Sequence, residues 1–287
     1  NDAPGVMLSS AAKEYLKIYG VLVGKKPIIF TNNDSGYETA IEFKKNGIDP
    51  IILDTRKDAS SEIIKEAKEL NINIKFSYVV VAAKGYKKVN SADIARISDD
   101  KKNLSNIENI KCDCICVSGF WTPSIHLASQ SGNKTKFNEE IDAFVPSHSK
   151  QKETTLGSAN GIFTLEETLK KSFESGYEIS KKITNNENKV TIPQVAEKKH
   201  TTHDKFWCVP LPKGKTYKRF LDFQNDVAVS DVELALREGY RSIEHVKRYT
   251  TLGMATDQGK TSNLNGLQLV SNIEKKIIPE VGHTTFR

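Results

Sequence analysis

The sequence has no run of about 18 apolar residues, so an ordinary transmembrane helix is not expected. No charged-then-apolar leader opens it, and no signal peptide is expected either. Cysteine is scarce, at four in 287 residues, and three of the four crowd into Cys112-Asp113-Cys114-Ile115-Cys116. That spacing is not a disulfide framework, and it points to a reducing, cytoplasmic setting. The histidines, His126, His148, His200, His203, His245 and His283, show no metal-ligand spacing. No Ser-His-Asp or Cys-His arrangement is defensible, so no catalytic residue and no metal ligand is assigned. A GxGxxG loop is also missing. The net charge of +6 comes mostly from lysines scattered between Lys13 and Lys276, rarely beside aromatics. That distribution is a solvated surface, and no nucleic-acid or membrane partner is expected.

What is present suits a globular protein of about two domains, with 38% hydrophobic and 27% charged residues. Helical spacing runs over Met7 to Tyr19, Ser35 to Asn46 and Ser60 to Leu70, with Gly47 as a stop and Ser60 or Ser61 as an N-cap. Short apolar runs at 26–31, 50–54 and 73–76 read as strands between them. This β-α-β-α-β order predicts an α/β fold with a parallel sheet of nucleotide-binding type. Tyr78 to Val89 and Ala92 to Ile97 read as an antiparallel meander, and Asn109 to Val117 as one strand returning to the sheet. Phe163 to Ser180 is a strong helix, and 185–199 is a polar stretch interrupted by Pro193, read as a linker. Beyond it, Tyr217 to Phe223, Ser230 to Glu238, Ser242 to Thr250 and Asn263 to Ile277 suggest a small, mainly helical domain.

Five places could carry chemistry. The turn Thr31-Asn32-Asn33-Asp34-Ser35-Gly36-Tyr37 stands where a dinucleotide site has glycines, and Asp54 has the spacing of a ribose-binding acid. The turn has one glycine and an Asp where phosphate would sit, so an architectural unit without nucleotide is the competing reading. Cys112, Cys114 and Cys116 alternate on a strand and are expected to face one side as buried thiols. Ser118-Gly119-Phe120-Trp121-Thr122-Pro123 and Gly157-Ser158-Ala159-Asn160-Gly161-Ile162-Phe163-Thr164 offer small residues at turns, for a cofactor's close approach or for plain packing. His200 and His203 read as solvated, and His245 as structural.

The fifth place is Lys247 to Asn263, polar, glycine-punctuated and rich in hydroxyls and amides, between two helix-like segments. It can present backbone N–H groups and fixed cations to an anion, or it can be a polar helix–helix turn.

Ile243 to Asn263 resembles the signature of the α subunit of heterotetrameric sarcosine oxidase. Asp222-Phe223-Gln224-Asn225-Asp226-Val227, Asn1-Asp2-Ala3-Pro4-Gly5-Val6-Met7-Leu8, Phe30-Thr31-Asn32-Asn33-Asp34 and Val117-Ser118-Gly119-Phe120-Trp121-Thr122-Pro123 fit the same family in the same order. The resemblance implies a fragment, without the family's glycine-rich dinucleotide motif and its folate-binding domain. It implies a Rossmann-like FAD/NAD(P)-binding, disulfide-oxidoreductase-like region over 1–184, a linker over 185–204 and a small helical domain over 205–287. That small domain resembles the two-iron, two-sulfur module of bacterioferritin-associated ferredoxins, whose four Cys would fall at Asp222, Gln224, Asp257 and Ser262. With no thiolate at any of them, no iron–sulfur cluster is expected.

By the same resemblance, a non-catalytic NAD would meet Gly157, Ser158, Gly161, Ile162 and Thr164. FMN at the boundary with the β subunit would meet Arg248, Thr250, Thr251, Gln258, Lys260, Thr261 and Ser262, with Lys260 first for stabilising flavin negative charge. FAD would lie in the β subunit. The implied complex of α, β, γ and δ subunits oxidises sarcosine to glycine with release of hydrogen peroxide and passes the one-carbon unit to tetrahydrofolate. The isolated fragment is expected to be inactive. A structural or electron-transfer subunit of a related proline, opine or N-methyl amine dehydrogenase is the alternative.

Overall fold

The computed structural model describes residues 3–184, 191–195 and 203–282. The chain divides into two units, Asn1–Phe120 with Lys198–Arg219, and Trp121–Glu197 with Phe220–Arg287. The boundaries expected at 184 and 205 do not coincide with this division. Most of the expected linker lies outside the described residues, as do His200 and His283.

The first unit is built on a five-stranded, all-parallel sheet. In chain order it contains β1 (Val6–Leu8), α1 (Ser9–Tyr19), β2 (Pro27–Thr31), α2 (Ser35–Lys45), β3 (Ile51–Asp54), α3 (Glu62–Glu69) and β4 (Asn73–Phe76). An antiparallel meander of β5 (Tyr78–Gly85), β6 (Val89–Ile97) and β7 (Leu104–Lys111) follows, and β8 (Cys114–Ser118) returns to the sheet. The strand order is β1-β8-β2-β3-β4. The α/β class with a parallel sheet is therefore as the periodicity predicted.

Strand alternation sends Ile29, Ile52, Cys114 and Cys116 to one face, where they pack with Tyr37, Ala40, Phe43 and Ile64 of the helices. Ile28, Leu53 and Ile115 point to the other face, against Val89, Ala92 and Ile94 of the meander. Covered on both faces, the strands read as apolar runs without clear alternation, as parallel strands do.

Two expectations need correction. Met7 and Leu8 belong to β1, because they pair in register with Cys116 and Val117 at the sheet edge; helical spacing alone could not show that partner. The segment 109–117 is two strands, broken at Cys112-Asp113. The Asp113 carboxylate accepts the backbone N–H groups of Lys25 and Lys26, both at 2.8 Å, and redirects the chain there. Cys112 consequently packs in the meander-side core, while Cys114 and Cys116 lie with sulfurs 3.6 Å apart on the helix side.

The second unit contains α4 (His126–Gln130), an antiparallel hairpin of β9 (Lys134–Asn138) and β10 (Ala143–His148), a 3-10 turn at Gly157–Asn160 and α5 (Leu165–Thr184). It continues with the short pair β11 (Phe220–Asp222) and β12 (Val227–Ala228), then α6 (Val229–Arg237), α7 (Ile243–Thr250), α8 (Asn263–Glu274) and α9 (Ile278–Val281). The hairpin β9–β10 carries Lys, Thr and Asn between its apolar positions and gave no clear signal in the sequence.

Candidate cofactor-binding site

In an open parallel sheet, ligands collect beyond the carboxyl ends of the strands, where the strand order reverses. Here that point lies between β2 and β8. It is filled by the chain's own polar groups. The Asn33 side-chain amide donates to the Gly119 carbonyl and to Asn32 Oδ1, and the Ser35 and Ser118 hydroxyls meet at 2.8 Å.

Segment 203–207 closes the same edge. The Asp204 N–H donates to the Asn32 carbonyl at 2.9 Å, and Asn32 Nδ2 donates back to the Asp204 carbonyl at 2.9 Å. The Asp204 carboxylate accepts from the Thr55 hydroxyl and pairs with Lys101. His203 stacks on Phe120 with ring centres 4.6 Å apart, so it is packed and not a solvated linker residue.

Asp54, the candidate ribose acid, is wholly buried and already bound. Its carboxylate accepts from Arg56 Nε at 3.0 Å and Nη2 at 2.7 Å, and from the Tyr37 hydroxyl at 2.7 Å. Arg56 also pairs with Asp34 at 2.8 Å. Burial opposes the Arg56 charge, but the hydrogen bonds and charges of Asp54 and Asp34 outweigh it and hold the guanidinium protonated. Burial, then the Asp54 charge, pushes the Tyr37 hydroxyl far above its ordinary value. The carboxylates of the turn after β2 and of Asp54 are thus engaged within the fold, as the architectural reading of these residues expects.

The cofactor candidates all fall in the second unit, in two groups. Gly157, Ser158, Gly161, Ile162 and Thr164 form one tight turn before α5, with Gly161 N–H donating to the Ser158 carbonyl and Ile162 N–H to the Gly157 carbonyl. Gly157 and Gly161 hold left-handed φ of 62° and 80°, and a Cβ on Gly161 would lie 2.6 Å from Ile141 Cδ1. Glu166 and Glu167 occupy the first turn of α5, which disfavours an anion at that helix end.

Arg248, Thr250, Thr251, Gln258, Lys260, Thr261 and Ser262 form the second group, from the end of α7 to the N-cap of α8. Four residues of this arc have left-handed φ: Thr251 at 62°, Gly253 at 67°, Gln258 at 51° and Gly259 at 75°. A Cβ at Gly253 or Gly259 would run into the Asn263 side chain, so the arc is wound around that amide. Asp257 braces it from within, accepting from the Gly259 N–H at 3.1 Å and the Thr261 hydroxyl at 2.8 Å.

Most polar side chains of this arc are already engaged. Arg248 pairs with Glu244, Thr250 donates to the Val246 carbonyl, Gln258 to the Ala255 carbonyl and Thr261 to Asp257. Ser262 is fully buried beneath the arc. Lys260 differs: it is exposed, and its ammonium makes no hydrogen bond or ion pair among the described residues. His126, at the start of α4, was not singled out by the sequence. Its ring nitrogens are shielded and it lies against Gln258, Lys260, Asp257 and Lys247. Among the described residues no cluster of three or more His, Cys, Asp or Glu could hold a metal, and no helix is long and apolar enough to cross a membrane.

Residues 216–287 match the family described as the sarcosine oxidase A3 domain. The whole chain is 35% identical to sarcosine oxidase subunit alpha of Rhizobium meliloti (strain 1021), covering 28% of that protein. It is 30% identical to the same subunit of Corynebacterium sp. (strain P-1), again over the whole chain and 30% of that protein. The chain thus spans less than a third of the length of these relatives. Among solved structures, an L-proline dehydrogenase from P. horikoshii superposes over the whole chain and 52% of its own with a TM-score of 0.66 at 19% identity, a likeness of fold. Over its whole length the chain is similar to one segment of the sarcosine oxidase α subunit, and residues 216–287 within it match the A3 domain.

Proposed function

We propose that this chain is the flavin-facing segment of an α subunit in a complex that demethylates sarcosine oxidatively. Glycine and hydrogen peroxide are the products, and the one-carbon unit passes to tetrahydrofolate. The observation that carries the reading is Lys260: an exposed ammonium without a hydrogen bond or ion pair among the described residues, on an arc where Arg248, Thr250, Gln258 and Thr261 are engaged in holding its shape. A cation presented in this way suits the phosphate or the reduced, negatively charged ring of FMN. When bound there, FMN supplies electron-carrying chemistry. Lys260 offers charge, and Thr251 and the exposed edge of Thr261 border the same surface. Arg248 can join only by turning from Glu244, and Ser262 supports the arc from below.

NAD fits less directly. The Gly157–Thr164 turn allows close backbone approach, and its glycines are also required by its own geometry. FAD, and sarcosine itself, belong in this reading to the β subunit, with γ and δ subunits completing the assembly. Co-expression with a β subunit, followed by flavin analysis, tests the proposal. Lys260→Ala is expected to lower FMN content and turnover while the chain stays folded. Unchanged FMN content and turnover would remove Lys260 from the site.

A further inference from the structure

The turn between β11 and β12 holds none of the cofactor candidates, yet it grips their arc. Asp222 is 2% exposed. Its Oδ1 accepts the N–H groups of Gln224 at 2.9 Å and Asn225 at 3.0 Å, which fixes the carboxylate within its own turn. Its Oδ2 reaches across to the Gly253 N–H at 2.8 Å. Beside it, Asn225 Nδ2 donates to the Thr251 carbonyl at 3.0 Å, and the Thr256 hydroxyl donates to Gln224 Oε1 at 2.5 Å. The turn therefore ties down the arc at 251, 253 and 256. Of those three, Thr251 is a non-glycine residue held at a left-handed φ of 62°, a state that persists where the surroundings enforce it.

We propose that Asp222 is a positioning residue for the cofactor arc. By holding the Gly253 N–H, its carboxylate fixes the curve that presents Lys260, and it acts on a bound flavin only through that curve. The proposal rests on the reading that this arc faces FMN. A carboxylate is needed because three N–H groups converge on its two oxygens. An Asn side chain of the same size offers one acceptor oxygen and must give up either its own turn or Gly253.

The test uses the α subunit co-expressed with its β partner, as Asp222→Asn, Asp222→Glu, Lys260→Ala and the double variant Asp222→Asn/Lys260→Ala. Two quantities are read: amide hydrogen exchange across 251–260, and the affinity of the bound flavin for sulfite. Sulfite adds to the flavin ring and leaves negative charge on it, so its affinity reports a nearby cation. Asp222→Asn is expected to speed exchange at Gly253 about tenfold and to weaken sulfite binding toward the Lys260→Ala value. Asp222→Glu should restore part of both, and the double variant should match Lys260→Ala alone.

Unchanged exchange at Gly253, or effects on sulfite that add in full in the double variant, would overturn the proposal. If Asp222→Asn does not fold, Asn225→Ala loosens the same tie at Thr251, and both readouts should move the same way by less. No movement in either would count against the clamp. If Lys260→Ala leaves sulfite affinity as it was, the flavin reading fails, and exchange at Gly253 still decides the clamp by itself.

Discussion

Arg56 shows how much a single buried side chain can settle. Its guanidinium satisfies Asp34 and Asp54 together, and both carboxylates are almost wholly buried. Arg56→Ala would leave two carboxylates without their cation, a change expected to cost about 3–5 kcal/mol, read as a lower urea midpoint. Gly259 is constrained for a different reason. Its φ of 75° and the Asn263 side chain leave no room for a Cβ. Gly259→Ala should therefore destabilise by more than about 1 kcal/mol, and Gly214→Ala, which has open space at φ 71°, by less. Thermal unfolding of the two variants compares them.

His126 adds a pH dependence at the same scale. Burial lowers its pKa first. The Gln258 backbone and Asp257 favour the proton, while Lys260 and Lys247 oppose it. The folded protein thus binds this proton less readily than the unfolded chain, whose histidine titrates near about 6.5. Its stabilising contribution is present above that value and is lost as pH falls through the lower, folded value. Between pH 7.5 and 5, wild type should lose more thermal stability than His126→Gln; an equal loss would show that the ring is not held neutral. Cys112 is the converse case among the thiols: burial and the Asp113 charge push it up to about 11, so it should resist alkylation at neutral pH.

At the scale of elements, the helices and strands of the parallel sheet were legible because each carries its own period, apolar runs for buried strands and a 3.6-residue repeat for the helices packed on them. The failures were at junctions. Nothing local in Met7-Leu8 distinguishes the last turn of an apolar strand from the first turn of a helix; the β8 partner decides it. The break at Cys112-Asp113 depends on two N–H groups 87 and 88 positions away in the chain. The closing of the β2 edge by 203–207 is likewise a long-range pairing, of Asn32 with Asp204. It leads to an expected outcome: millimolar NAD added to the protein should leave amide exchange at Thr31–Ser35 unchanged. Protection there on NAD addition would mean that the edge opens to a nucleotide after all.

At the scale of the molecule, this chain matches less than a third of its relatives' length. If activity needs the β subunit's FAD, the purified chain alone should release no sarcosine-dependent peroxide, which a coupled peroxidase assay measures. The family resemblance could be read from one motif because Lys247 to Asn263 packs so many distinct residue types into a fixed order. Its chemistry could not be read from the same motif. Lys260 stood first among the seven candidates by resemblance, and the folded arc sets it apart from Thr250 and Thr261, whose hydroxyls are bound to the Val246 carbonyl and to Asp257.

The sequence by itself determined the α/β order of the first unit, the helices of the second and the resemblance to sarcosine oxidase α subunits, since those rest on local periodicity and on the order of residues along the chain. Only the tertiary structure decided that Asp54 is spent on Arg56, that the β2 turn is closed by Asp204, and that Asp222 holds the arc between α7 and α8 through Gly253. The reason is physical. A carboxylate's role is set by which donor reaches it, and here several of the deciding donors are brought from distant parts of the chain by packing.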